Sequence, residues 1–397
     1  MNLFRVRSEA KKPFMAVCLS HMLVEVFLLM PSALLPVFIS EFKLSIFQAG
    51  LLITIPNLCR RVIVIPTGIF VDKFGSRPVI ILSILIAGIS ALLISQCNNA
   101  LFLLVLLCTM KISETLYHPA GMSIISKLFL EQSERSTNVG FHGATGCLGQ
   151  SIGTVSLGLM LSGFGWRLPY LIFSLPLIAW MIIFYRLQIP QLTRYHKLAA
   201  SLNKVKNEKE RLRSFIFKFS FIMLLISMGL YTLSSVGVNA FTTTFLISIK
   251  GLSVESASIV FGAGPLTGII GSLVAGYVAS KVGDKNTLTL LYAGQVIFLL
   301  GLIAIPVIQF ATMSFLMYQL LMLAIWTPST SLVANMIGKN GGGTAYSLFY
   351  FAGDMLAVIS PLIAAILIET FGIFSLFIFA IVLFASSGLI VQLIKVD

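Results

Sequence analysis

Apolar residues fill stretch after stretch of this chain, and the polar residues between them fall in short turns rather than in strict alternation. Each apolar stretch approaches the roughly 20 residues that a helix needs to cross about 30 Å of hydrocarbon. Twelve can be read, at about 14–39, 46–70, 77–96, 100–128, 137–162, 168–187, 215–247, 254–280, 286–308, 311–337, 343–368 and 371–395. A transmembrane β-barrel would show short segments of alternating hydrophobicity instead. The pattern predicts an all-α membrane protein with twelve transmembrane helices. The first stretch follows Arg5, Arg7, Lys11 and Lys12, as a secretory signal would. It is too long for one and holds His21 and Glu25 at its centre, so it is expected to remain as a helix.

The only long polar segment, QIPQLTRYHKLAASLNKVKNEKERLRS at 188–214, is basic and rich in helix formers, and reads as a cytoplasmic linker. It separates an N-terminal six-helix bundle at 1–187 from a C-terminal one at 215–397. The two sides repeat each other. GIFVDKFGSR at 68–77 stands 208 residues before GYVASKVGDK at 276–285. YHPAGMSIISK at 117–127 stands 209 before WTPSTSLVANM, with Pro119 matching Pro328, and FGW at 164–166 stands 207 before FGI. Three matches in order at one spacing predict two pseudo-symmetric bundles, a parallel repeat of the kind many transporters use.

Composition removes the soluble alternatives: 57% of residues are hydrophobic, 10% are charged and the mean hydropathy is +0.99. The net charge of +13 would by itself suggest a nucleic-acid binder, but the placement of the bases argues against that. With the amino terminus in the cytoplasm, 21 of the 27 Lys and Arg lie on that side. Lys43, Arg167 and Lys250 lie on the other, and Arg60, Arg61 and Lys111 lie within the membrane. This is the positive-inside bias, and it predicts a multi-pass protein of the cell inner membrane with both termini cytoplasmic, in contact with lipid and not with nucleic acid. Cys18, Cys59, Cys97, Cys108 and Cys147 lie in or beside spans and imply no disulfide framework.

GIFVDKFGSRP at 68–78 resembles the signature between helices 2 and 3 of the major facilitator superfamily, roughly Gly-x-x-x-Asp-Arg/Lys-x-Gly-Arg-Arg/Lys. Gly68, Asp72, Lys73, Gly75 and Arg77 match, and Ser76 departs from the usual base. HMLVEVFLLMPSALLPVF, LSIFQAG, YHPAG and GFHGATGCLGQSIG are most similar to the fosmidomycin-resistance type of exporter within that superfamily, although the acidic residue after His21 is differently placed and the arginine pair is not part of that pattern. The resemblance implies that the signature loop stabilises an outward-open state. Gly68 would let helix 2 approach a neighbour closely, and Asp72 could accept hydrogen bonds at a helix start across the interface between bundles. Helix 5 carries glycines at 143, 146, 149 and 153, a spacing that permits tight packing. Proton antiporters of the superfamily often have Gly-Pro there, whereas Gln150 follows Gly149 in this chain.

A charged side chain at the bilayer centre costs several kcal/mol on cautious scales and is functional or paired by default. This chain has His21 and Glu25 on helix 1, Arg60 and Arg61 on helix 2, and Lys111, Glu114 and His118 on helix 4. His142 on helix 5 and Asp354 on helix 11 complete the set. Helices 3, 6, 9 and 12 have none in their interiors, and the resemblance places those four against lipid. His21 and Glu25 share a face, as do Lys111, Glu114 and His118. The resemblance puts helices 1 and 4 on the central cavity, so a polar cluster is expected at mid-depth. Leu233 and Thr327 stand where the second half would match Glu25 and His118. Arg61 precedes Gly68 and Asp72 by near-whole numbers of turns and is expected to clasp Asp354. Arg60, about 100° away, is expected to meet Glu25, Glu114 or a substrate anion.

The expected protein is a secondary active transporter that alternates access. Glu25, His21, Glu114 and His118 are candidates for proton coupling, being titratable groups in a low-dielectric setting. Arg60, Lys111, Tyr117, His142 and Gln150 are candidates for binding a small substrate, anionic for preference. Gly68, Asp72, Lys73, Gly75, Arg77, Arg61 and Asp354 are candidates for gating between bundles. The resemblance favours export of a small organic compound or drug; uptake of an organic anion with a proton is the runner-up. A substrate sensor is disfavoured by the lack of a signalling domain, and an intramembrane enzyme by the lack of a hydrolytic constellation. No cofactor, metal or nucleotide motif is expected, and the working form is expected to be a monomer.

Overall fold

The computed structural model describes residues 8–129, 131–187, 218–337 and 343–395. Among these the first half forms α1 Ser8–Glu25, α2 Met30–Ala33, α3 Leu35–Phe42, α4 Ile46–Phe74, α5 Ser76–Ile94, α6 Ala100–Leu128, α7 Gln132–Phe164 and α8 Arg167–Arg186. The second forms α9 Phe219–Ser248, α10 Val254–Val282, α11 Asp284–Ala304, α12 Ile308–Ala324, α13 Trp326–Ile337, α14 Gly343–Phe371 and α15 Ile373–Gln392. They supply twelve candidate membrane spans by length and apolarity. The linker expected at 188–214 lies outside the described residues.

Two spans expected to be continuous are broken. The first stops at Glu25 and resumes as α2 and α3. Pro31 and Pro36 lack the N–H groups that would bond the carbonyls of Phe27 and Ser32, so a single helix through this segment would lose ladder bonds. The tenth breaks at Ile325 between α12 and α13, where Pro328 has no N–H for the Ala324 carbonyl. Its repeat partner Pro119 lies inside the uninterrupted α6.

The repeat is visible in the backbone. Gly75 (φ 87°) precedes α5 and Gly283 (φ 86°) precedes α11, 208 residues on. Gly165 (φ 74°) and Gly372 (φ 82°) form the second pair, 207 apart. With ψ at 158° and 155°, Gly75 and Gly283 occupy a region essentially restricted to glycine. Gly75→Val is therefore expected to cost on the order of 1–3 kcal/mol, read as a lower Tm in detergent, and to reduce transport. No described atom lies within 4 Å of a Cβ built at Gly68.

The chain divides into two compact units, one of Met1–Lys43, Ile55–Lys197 and Ser253–Gly262, the other of Leu44–Thr54, Leu198–Leu252 and Ala263–Asp397. The start of α4 therefore groups with the second unit and the start of α10 with the first. Within the second unit, a Cβ at Gly50 would come within 2.7 Å of the Ala365 side chain, and the Phe47 N–H donates to Glu369 Oε1 at 2.7 Å. Within the first, Gly158 lies against Glu255 and Ile259 of α10. Because lipid is as apolar as a leucine side chain, close packing and internal hydrogen bonds hold such helices together. In the first unit α7 seats on α1 through Gly146, Gly149 and Gly153, while a Cβ at Gly143 would meet nothing.

Candidate functional site

The break in the first span leaves Glu25 as the last residue of α1, its carbonyl accepting from the Leu28 N–H at 3.0 Å. The carboxylate lies against α6 and α7. His118 Nε2 donates to Oε1 at 3.1 Å, and Gln150 Nε2 donates to Oε2 at 2.9 Å. His21 Nε2, one turn back, stands 3.7 Å from Oε1. Both oxygens are thus held, and the partners are titratable histidines and a neutral amide. A discontinuous span with its functional residue at the break is a device transporters use for ligand sites.

Glu114 is held differently. Arg60 from α4 reaches Oε1 at 2.7 Å, and Lys111 reaches Oε2 at 2.8 Å from one turn back on α6. His118 Nε2 is 3.9 Å from Glu114 Oε1, so its ring lies between the two carboxylates. The i to i+3 and i to i+4 spacings of Lys111, Glu114 and His118 put all three on one face of α6. With neutral histidines, two carboxylates face two permanent cations.

Behind Glu25 stand three parallel rings. His21 stacks on His142 at 4.0 Å between centroids, and Tyr117 lies 5.2 Å from His21 and 5.9 Å from His142. Donor logic fixes the protons. A carbonyl only accepts, so His21 Nδ1 carries hydrogen and donates to the His142 carbonyl at 2.8 Å. Tyr117 gives its proton to the Val17 carbonyl at 2.6 Å, which leaves its oxygen to accept from His142 Nε2 at 3.0 Å. His21 Nε2 then faces Glu25 Oε1 at 3.7 Å, beyond hydrogen-bond reach. The stack ties α1, α6 and α7 together and aims the His21 ring.

The structure thus gathers His21, Glu25, Arg60, Lys111, Glu114, Tyr117, His118, His142 and Gln150 in the first unit. Several of them bond to one another. Gln150 serves Glu25, and Tyr117 and His142 serve each other and His21. Gly146 was read as helix packing; what it packs against is the His21 ring, whose Cε1 would be 2.5 Å from an added Cβ. Trp180 of α8 was not foreseen: its Nε1 donates to Ser20 Oγ at 2.9 Å, on the α1 turn that carries His21. An indole at the middle of an otherwise apolar span was the available signal.

The gating candidates are partly placed. Asp72 and Lys73 are exposed at the end of α4, with Lys73 Nζ 5.2 Å from the Phe74 ring centroid. Arg77 donates to the Tyr185 carbonyl of α8. Arg61 follows Arg60 on α4, and the side chain of Asp354, its expected partner, lies outside the described residues. Ligand atoms of His21, Glu25 and His118 lie within 4.8 Å of one another, close enough to share one cation, and of these His118 and Glu25 are hydrogen-bonded to each other.

Among curated proteins the chain is similar to the riboflavin transporter RibZ of Clostridioides difficile (strain 630), 24% identical with 67% of each chain covered. It is also similar to the cis,cis-muconate transport protein of Acinetobacter baylyi, at 22% identity over 66% of this chain and 64% of that one. The hexuronate transporter of Bacillus subtilis (strain 168) is 18% identical over 84% and 82%. Among solved structures, the bacterial homologue of the human lysosomal transporter Spinster, inward-facing and unoccupied, gives a TM-score of 0.77 at 16% identity, covering 98% of this chain and 95% of that one. The D-xylose-proton symporter gives 0.76 at 16% identity, covering 95% and 96%. These likenesses show the fold. The family description of the Major Facilitator Superfamily matches residues 17–361, and the chain belongs to that superfamily: it is a multi-pass membrane transporter.

Proposed function

We propose that this protein is a secondary active transporter that moves a small organic anion together with a proton by alternating access. The observation that carries the reading is the unequal treatment of the two carboxylates. Glu114 is neutralised by permanent cations, whereas Glu25 is faced by groups that change charge or carry none. An ionised carboxylate in a low-dielectric interior needs a partner or a proton. Glu25 and His118 can exchange one for the other, which is what a coupling site requires. Among the described groups, Glu25 and Glu114 stand with Arg60 and Lys111, so an entering anion brings a negative charge that an accompanying proton offsets. Muconate and hexuronates, named for two of the relatives, are organic anions.

Moving together, proton and anion would run inward on an inward proton gradient. Export by antiport is the second reading, supported by the motifs that resemble the fosmidomycin-resistance type; the Gln150 that replaces the antiporter proline, and bonds Glu25, favours the first. The positive-inside bias supports an inner-membrane location with both termini cytoplasmic, and the complete cluster within one chain supports a monomer. Uptake of radiolabelled sorbate or muconate into proteoliposomes under an imposed pH gradient tests the reading. Accumulation with acid outside is the expected result. Accumulation with acid inside would show antiport, and indifference to the gradient would overturn proton coupling.

A further inference from the structure

Three of the chain's four histidines gather beside Glu25, and two of them turn a ring nitrogen toward the same carboxylate oxygen. His118 Nε2 stands 3.1 Å and His21 Nε2 3.7 Å from Glu25 Oε1, and the three atoms lie within 4.8 Å of one another. Bonds of about 2.0–2.1 Å to a tetrahedral zinc ion put neighbouring ligand atoms about 3.3 Å apart. The two measured edges fall on either side of that spacing. The groups behind the ligands also suit a metal. A metal-bound imidazole gives its other N–H to a carbonyl or carboxylate, and His21 Nδ1 donates to the His142 carbonyl at 2.8 Å, which leaves Nε2 as the free nitrogen. Gln150 Nε2 donates to Glu25 Oε2 at 2.9 Å and leaves Oε1 for the ion. Stacking on His142 and the close approach of Gly146 hold the His21 ring in place. His21 and Glu25 are buried, whereas the His118 side chain is 35% exposed, so the ligand with room to adjust is also the one on the path of approach.

We propose that His21 Nε2, Glu25 Oε1 and His118 Nε2 form a binding site for a divalent transition-metal ion of the zinc type, with the fourth position open to water. Two imidazoles and one carboxylate suit zinc and its neighbours in the first transition row; magnesium and calcium take oxygen ligands instead. On binding, His118 carries its hydrogen on Nδ1, and the ion stands where that hydrogen bridged Nε2 and Oε1. The ion ties α1 to α6 and occupies the carboxylate oxygen to which the coupling reading gives the proton, so zinc inhibits gradient-driven accumulation from within the site. Inhibition rests on that reading, and binding does not.

Calorimetric titration of zinc chloride into the purified, tag-free protein in nanodiscs at one fixed pH tests the site. One ion per chain is expected, with no heat from magnesium chloride at the same concentration. His21→Ala and His118→Asn are each expected to weaken zinc by at least about tenfold, the loss that removal of even an outer-shell partner produces. Should His21→Ala fail to fold, His118→Asn, at the half-exposed position, decides. Absence of zinc binding by the wild type, or an affinity unchanged in His118→Asn, would overturn the site whatever the protein transports. Zinc is then added to proteoliposomes that accumulate labelled sorbate on a pH gradient, and accumulation is expected to stop. Zinc held at this site with accumulation undiminished would leave the site standing and overturn proton coupling at Glu25.

Discussion

Gly153→Ala is expected to separate α7 from α1 and to cost at least about 3 kcal/mol, the upper range for overpacking. A Cβ at this position would lie 1.9 Å from the Val26 carbonyl oxygen and 2.8 Å from its carbon; at Gly149 the corresponding oxygen, that of Met22, would be 2.1 Å away. Both obstacles are backbone, so no side chain can rotate to make room, and the helices would have to part by roughly an ångström. The parting acts where the site is stitched together, because the bonds from His21 to the His142 carbonyl and from Gln150 to Glu25 both join α1 to α7, at 2.8 and 2.9 Å. Loss of stability and loss of coupling should therefore appear together. Gly143→Ala, one turn outside the contact, is the control and should fall within about 0.5 kcal/mol of wild type. Thermal unfolding in detergent reads both, and a wild-type Tm for Gly153→Ala would contradict the close approach.

Much of this packing was legible beforehand. Glycines at 146, 149 and 153 announce a helix that another must approach, and the repeat at offsets of 207 to 209 announces two related bundles. Helix existence followed from length and apolarity alone, which is why α4, α6 and α14 begin where the sequence reading put them. Breaks did not follow. Apolarity is blind to a missing N–H, and the four prolines near the two interrupted and uninterrupted helices act differently: Pro31, Pro36 and Pro328 accompany breaks, and Pro119 does not. Single-chain pattern cannot say which carbonyl finds another partner.

Within the site, one-helix neighbours were legible and cross-helix partners were not. The spacing of Lys111, Glu114 and His118 predicts their shared face, and Lys111 does hold Glu114 at 2.8 Å. That His118 would bridge 93 residues to Glu25, or that Gln150 would reach it from 125 residues away, depends on how α1, α6 and α7 are rotated against one another. For Arg60 the sequence left Glu25, Glu114 and a substrate open as partners. The structure gives Glu114, because the i to i+3 lysine already draws that carboxylate toward the face that α4 approaches. The amide of Gln150, a substrate candidate in the sequence, bonds Glu25 Oε2.

That completed shell makes Glu25→Gln the most informative change for function. In the wild type Oε1 accepts from His118 and Oε2 from Gln150, so a carboxamide in the same place keeps one acceptor and gains one donor. Gln150 can turn its own amide to present oxygen to that donor, which keeps the two side chains hydrogen-bonded and should keep the stability change to about 1 kcal/mol. What the variant cannot do is bind and release a proton. Counterflow exchange of labelled substrate, which needs no net proton movement, should persist. Accumulation driven by a pH gradient should collapse to the exchange level. Glu25→Ala separates the electrostatic loss from a structural one. It removes the carboxylate that His118 and Gln150 share and leaves their half-buried donors without that partner, so both exchange and stability should fall. Undiminished gradient-driven accumulation in Glu25→Gln would place proton coupling at Glu114 and His118, the other carboxylate that this histidine can reach.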